Sequence, residues 1–365
     1  MSCLLTISIP TWNRCAYLRE NVLSIVNVFQ QMPPGSVELF ISDNHSDDET
    51  PVFLQALAQE HAFVRTHRQA KNVGANANFY TVLREAKGDY VWLLGDDDAI
   101  VAASLQRLLH DLQAYSPSIV IGGMENDTTH QRLYLSQITT HLQTDQSILA
   151  AYDLIDLAGK MSALIFKTAA LHTVLEDGWH LIVRSKTPWP HLIWFLQLLA
   201  RDHRLLILPY STNYFVEKNR YNLLHSGTVR LTLLVVDYAE VLSLVSSDFS
   251  DAMNKKLKRR LMVGRGVTLI KILAYSTFLN TAQETRHNAV CALKTVPTLQ
   301  NKWRFALGYV LPSLLPQRVR HALFCLPLCF VGHNSAYRKF IDYLRQARVL
   351  SAVVDGRQVF NKADL

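Results

Sequence analysis

The stretch Tyr90-Val91-Trp92-Leu93-Leu94-Gly95-Asp96-Asp97-Asp98 decides how this chain is read. Five apolar residues run without alternation and stop at a glycine and three carboxylates. A short continuous apolar run reads as a strand buried on both faces. The abrupt change to acid puts three negative charges where that strand leaves its sheet. Adjacent carboxylates repel, so the cluster calls for a cation. Oxygen ligands suit Mg²⁺ or Mn²⁺, and either can bridge to a diphosphate. The same residues also read as a solvated turn capping the next helix, because Asp is favoured at N-caps.

Upstream, strand patterns at residues 4–9, 37–41 and 64–68 alternate with helical spacing at 17–29, 51–61 and 77–86. Buried strands alternating with helices predict an α/β fold, a doubly wound, mostly parallel sheet flanked by helices. In such sheets ligands sit beyond the carboxyl ends of the strands. Downstream, the pattern predicts a helix over 103–115, a strand over 118–122 and polar irregular chain over 124–146. It then predicts a helix over 150–157, a strand over 162–166, a helix over 192–200 and a strand over 205–208. Beyond residue 225 the character changes, with helices expected over 231–245, 255–276 and 281–295. The chain thus divides into an α/β domain, 1–225, and a helical, basic and apolar C-terminal region, 226–365.

Composition narrows the partners. Among 365 residues, 37 Lys and Arg outnumber 30 Asp and Glu. That excess favours nucleotides, nucleic acid or an acidic membrane surface. The basic residues are dispersed and no stacking-aromatic motif occurs, which argues against nucleic acid. Cys3, Cys15, Cys291, Cys325 and Cys329 are scattered and odd in number, so neither a zinc ribbon nor a disulfide framework is expected. Such thiols suit a reducing cytoplasm. No basic segment precedes the first apolar residues, so no signal peptide is expected. No run reaches the ~18 apolar residues of a spanning helix. The segment with Lys302, Trp303, Arg304, Tyr309, Arg318 and Arg320 reads either as an element docking on an anionic membrane surface or as a helical cap.

Four further constellations carry chemistry. Pro10, Thr11, Asn13 and Arg14 follow the first strand and could meet a nucleotide; an N-cap turn explains them equally. Asp43 and Asn44 follow the second strand, where a carboxylate can bind a pyrimidine imide or a ribose hydroxyl; Asx-turn chemistry is the plain alternative. Asn72 and Gly74, beside Lys71, precede a helix and suit a nucleotide-contacting loop, although neither a P-loop nor G-x-G-x-x-G is present. His191, at the start of a helix, could act as a general base near neutral pH, or be structural.

In order and spacing, residues 8–14, 41–50, 71–79 and 88–98 together resemble glycosyltransferase family 2, with its GT-A fold, and look closest to the bacterial abequosyltransferase-like branch that builds cell-surface polysaccharide such as O-antigen. The resemblance covers residues 1–125 well, extends to about 215 and ends there. It implies that Pro10, Thr11, Asn13 and Arg14 line the nucleotide pocket and that Asp43 binds the base. It implies that Asn72 and Gly74 flank nucleotide and sugar, and that Asp96, Asp97 and Asp98 hold the divalent metal and diphosphate. The common family pattern is Asp-x-Asp-Asp; here Gly95 takes the first Asp position, leaving Asp97 and Asp98 as the metal-facing pair. The family's base is usually acidic, but the corresponding segment here is Trp189-Pro190-His191. Either His191 or another group such as Asp177 would serve.

The implied activity is an inverting, Mn²⁺- or Mg²⁺-dependent transfer of a hexosyl or deoxyhexosyl group from a nucleotide sugar to a glycan acceptor. The acceptor expected is a lipid-linked sugar at the inner face of the cell membrane, where the C-terminal region would attach peripherally. The rivals are a catalytically inactive nucleotide-sugar or glycan-binding module and a sugar nucleotidyltransferase. The latter would want a glycine-rich basic loop after the first strand, which Pro10-Thr11-Trp12-Asn13-Arg14 is not.

Overall fold

The computed structural model describes residues 3–126, 132–133, 141–143, 158–185, 187–202, 204–215, 238–255 and 257. Contacts gather Met1–Arg220 and Val241–Arg260 into one compact unit; a second comprises Tyr221–Glu240 and Leu261–Leu365. The helices expected over 150–157 and 281–295, all of that over 255–276 except Lys255 and Leu257, and the basic aromatic segment from Lys302 to Arg320 fall outside the described residues. Of the helix expected over 231–245, Tyr238–Leu244 is described and helical.

The first unit is built on one mixed sheet. Its elements are β1 (Leu5–Thr11), α1 (Cys15–Phe29), β2 (Val37–Asp43), α2 (Thr50–Glu60), β3 (Val64–Arg68), α3 (Ala75–Arg84), β4 (Tyr90–Leu93) and α4 (Ala102–Tyr115). They continue with β5 (Ile119–Asn126), β6 (Arg132–Leu133), β7 (His141–Gln143), β8 (Leu164–Lys167), α5 (Thr168–Ser185), α6 (Pro190–Arg201) and β9 (Leu205–Phe215). The strand order is β3-β2-β1-β4-β8-β5-β9-β7, with β6 beside β5. The first four strands are parallel. The sequence places the sheet's reversal nowhere; the structure puts it at β8, antiparallel to both β4 and β5.

Every residue of β1 is buried. Leu5, Ile7 and Ile9 join the core with Leu18, Val22, Ile25 and Phe29 of α1. The polar residues between them are buried too, and each is paired, as burial without a partner costs ~1–3 kcal/mol. Thr6 Oγ1 donates to Glu38, and Ser8 Oγ donates to the Val82 carbonyl of α3. A strand covered on both faces at this central position explains why all of it is buried, the polar Thr6 and Ser8 with the apolar Leu5, Ile7 and Ile9.

Two expectations need correcting. Residues 124–146, read as irregular, include the end of β5 and the short strands β6 and β7. The long helix α5 was not expected. Its buried Leu171, Val174, Leu175, Gly178 and Ile182 have plain helical spacing. Gly178 weakens the pattern, but an added Cβ there would lie 2.4 Å from Trp194 Cδ1 of α6. The glycine is what lets the two helices pack.

Candidate active site

The carboxyl ends of β1, β2 and β4 meet at one edge. Thr11 is in register with Asp43 across the β1–β2 pair. Its hydroxyl also donates to Asp96 Oδ2 at 2.9 Å. One residue therefore ties the predicted nucleobase position to the acidic cluster after β4.

Arg14 stands just before α1. Asn13 takes a positive φ of 54° in the turn that precedes it, and the Asn13 carbonyl oxygen of the side chain accepts Asp47 N–H at 2.7 Å. Asn13 is thus a loop brace, and Asp48 does the capping: its carboxylate accepts Cys15 N–H of α1 and Thr50 N–H of α2. The Arg14 guanidinium bridges two carboxylates, reaching Asp96 Oδ1 at 2.8 Å and Asp97 Oδ2 at 2.6 Å. The cation that the cluster calls for is in part supplied by the chain itself.

Asp98 is held by a residue sequence reasoning missed. Ser162 Oγ donates to Asp98 Oδ2 at 2.5 Å and accepts Gly95 N–H at 2.9 Å. The Ser162 carbonyl accepts Trp92 Nε1–H. A buried serine 64 residues from its carboxylate carries no local motif. Burial pushes the Asp98 carboxyl up to about 7; Ser162 and Lys160 oppose that, and Asp97 adds to it. Burial likewise pushes Asp96 up to about 6, against Arg14 and Thr11.

Gly95, where the family pattern has its leading carboxylate, is closely approached by two of the carboxylates that follow. A Cβ there would lie 3.0 Å from Asp98 Oδ2 and 3.2 Å from Asp97 Oδ1. Those two oxygens therefore face one small space. Among the described residues no three His, Cys, Asp or Glu side chains converge as a ready cation cage. Mg²⁺ needs fewer when it binds with a nucleotide, since one or two carboxylates suffice and phosphates and water complete the shell. Asp97 and Asp98 fit that demand. Asp96 does not, because Arg14 and Thr11 occupy both its oxygens.

Asp43 is fully buried. Its Oδ1 accepts Ser46 N–H at 2.9 Å, while Oδ2 has no hydrogen-bond partner; Arg68 Nε lies 3.7 Å away. Pro10 is buried beside it, in register with Ser42. Asn44, Asn72 and Gly74 lock the loops after β2 and β3 together. Asn44 Nδ2 donates to Asn72 Oδ1, which also accepts Gly74 N–H, and Asn44 Oδ1 accepts Val73 N–H. Gly74 sits at φ 88°, a region open to glycine.

The two base candidates have other partners in this structure. His191 is buried at 3% exposure in the first turn of α6, its Nε2 3.2 Å from the Gly159 carbonyl. Burial pushes its pKa down to about 4. Enclosed as it is, the imidazole would have to be uncovered before it could take a proton from an incoming hydroxyl. It instead braces the segment that leads through Lys160 to Ser162. Asp177 pairs with Arg201 at the far end of α6, roughly 15 Å along the helix from His191 at 1.5 Å per residue. Among the described residues, no helix is long and apolar enough to cross a membrane.

Comparison with known proteins bears on the sequence and the fold. Residues 6–170 match the family model Glycosyl transferase family 2. The chain is 37% identical over 106 residues to abequosyltransferase RfbV of Salmonella typhimurium, 29% of this chain and 31% of that protein. The alignment thus spans about a third of that relative's length. Among solved structures, S. aureus TarS 1-349 superposes with a TM-score of 0.61 at 15% identity, covering 88% of this chain and 91% of that one. TarS has also been solved with UDP and with UDP-GlcNAc. Mannosyltransferase PcManGT from Pyrobaculum calidifontis, in complex with GDP-Man and Mn²⁺, superposes at 0.52 with 15% identity, covering 97% and 87%. Likeness at that identity speaks for the fold. Over residues 6–170 the chain is thus similar to glycosyl transferase family 2, and its fold is of the GT-A type.

Proposed function

We propose that this protein is a divalent-metal-dependent, inverting glycosyltransferase that moves a sugar from a nucleotide donor to a lipid-linked glycan in polysaccharide assembly. One observation carries the reading. Thr11 joins Asp43, whose buried Oδ2 lacks a hydrogen-bond donor, to the acidic cluster one bond away. A nucleoside and a diphosphate are the two halves of one ligand, and these are the groups each half would want.

In this reading Asp43 accepts a nucleobase N–H. The 72–74 loop, fixed by Asn44 and Asn72, borders the ribose and sugar. Asp97 and Asp98 hold the cation, Mn²⁺ or Mg²⁺. When bound, that cation stabilises the negative charge that builds on the leaving diphosphate. Ser162 keeps Asp98 aimed, and Asp96 keeps Arg14 beside the phosphates. The relatives' names support polysaccharide assembly; the lipid-linked acceptor and a peripheral seat on the membrane extend them, through the basic segment from Lys302 to Arg320.

A thermal-shift screen of nucleotide sugars, with and without Mn²⁺, tests this. Stabilisation by one nucleotide sugar that deepens with Mn²⁺ is expected. A response to a nucleoside triphosphate plus sugar phosphate, with none to any nucleotide sugar, contradicts it and favours a nucleotidyltransferase.

A further inference from the structure

Arg14 is set more firmly than a nucleotide-contacting side chain needs to be. Its guanidinium spans Asp96 and Asp97, with side-chain exposures of 21%, 7% and 23% for the three residues. Tyr17, one turn into α1, lies 5.1 Å from it, beneath its face. Asp96 is committed, Oδ1 to Arg14 and Oδ2 to Thr11. Asp97 is divided: Oδ2 belongs to Arg14, while Oδ1 faces the space beside Gly95 that it shares with Asp98.

We propose that Arg14 is an internal counter-cation that competes with the divalent metal for Asp97 and turns to the donor diphosphate when both arrive, so that metal and donor bind as a pair. The inference rests on the donor-site reading above. The contacts support it. Both arms of the Arg14 fork are taken, Nη1 by Asp96 and Nη2 by Asp97, so a divalent ion arriving alone at Asp97 must weaken the Arg14–Asp97 pair. A diphosphate offers the planar guanidinium fork another bidentate partner. Asp96 keeps one end of the fork in place during the exchange. The consequence is positive coupling between metal and donor, which by linkage is reciprocal.

The test is Mn²⁺ binding at pH 8, followed by electron paramagnetic resonance of the free ion, for wild type, Arg14→Gln and Arg14→Lys. With Mn²⁺ alone, R14Q is expected to bind about tenfold more tightly than wild type, in the usual range of coupling between sites. R14K, which keeps charge but loses the fork, is expected to fall between. Adding UDP is expected to tighten Mn²⁺ in wild type about tenfold and in R14Q hardly at all. If R14Q lacks a cooperative thermal transition, R14K carries the comparison. Mn²⁺ alone binding no more tightly to either variant than to wild type overturns the proposal. Wild type that binds neither Mn²⁺ nor UDP sinks the donor-site reading with it. Wild type that binds both, beside variants that match it, sinks the role of Arg14 alone.

Discussion

Replacing Asp98 by Asn separates the stability of this site from its chemistry. Burial pushes the Asp98 carboxyl from 3.8 to about 7, so folding favours its protonated form. That contribution is complete below pH 3.8 and is lost as pH rises through about 7. A shift of about three units is worth at most ~4 kcal/mol at 1.36 kcal/mol each. Asp98 is only partly buried by surface exposure, so solvent screening reduces this to about 2 kcal/mol. Asn cannot ionise, and its side-chain oxygen still accepts the Ser162 hydroxyl. In EDTA, D98N should therefore match wild type near pH 4 and exceed it by about 2 kcal/mol at pH 8. Urea unfolding at several pH values measures the difference directly. Comparing the two proteins is necessary because His191 works the other way in wild type. An offset that does not change with pH, or a D98N protein less stable at pH 8, refutes the reasoning. Mn²⁺ should stabilise wild type and not D98N.

Three further outcomes follow from the same geometry. His191, held down to about 4, contributes stability that is complete above pH 6.5 and lost as pH falls toward 4; over that window it should cost wild type about 3 kcal/mol. His191→Gln should remove that acid sensitivity in pH-dependent urea titrations while leaving the pH profile of transfer unmoved, which a general base would not allow. Ser162→Ala strands Gly95 N–H and strips Asp98 of its donor; it should cost about 1–3 kcal/mol in urea unfolding and weaken Mn²⁺ binding by calorimetry. Gly74→Ala adds a Cβ that meets nothing within 4 Å but must hold φ 88°. About 1–2 kcal/mol of backbone strain should then appear as weaker donor binding, with little change in Mn²⁺ affinity.

The parallel half of the fold was legible because its strands are covered on both faces. Residues 4–9, 37–41 and 90–94 are mostly apolar for that reason, with Thr6, Ser8 and Glu38 as paired exceptions. The turn to antiparallel pairing at β8 was not legible, since a four-residue strand carries no sign of direction. The acidic cluster was visible as a motif, but its division of labour was not. Asp96, Asp97 and Asp98 look alike in sequence; they differ through Thr11, Arg14 and Ser162, two of which lie more than 80 residues away. His191 misled for a related reason. A histidine at a helix start has the chemistry of a base, and only packing reveals that it faces the Gly159 carbonyl inside the protein. Gly95 read as a departure from pattern, and in the structure the carboxylates of Asp97 and Asp98 crowd the position a Cβ would take.

The central claim is that Asp97 and Asp98 hold the cation on which sugar transfer depends. Release of nucleoside diphosphate from the nucleotide sugar that stabilises the protein, measured with Mn²⁺ and with EDTA for wild type, Asp97→Ala and Asp98→Ala, tests it most directly. Release by wild type is expected to require Mn²⁺ and to fall at least about a hundredfold in each variant, the scale on which removing one electrostatic stabiliser acts. Release that persists in EDTA, or that survives both substitutions, would contradict it.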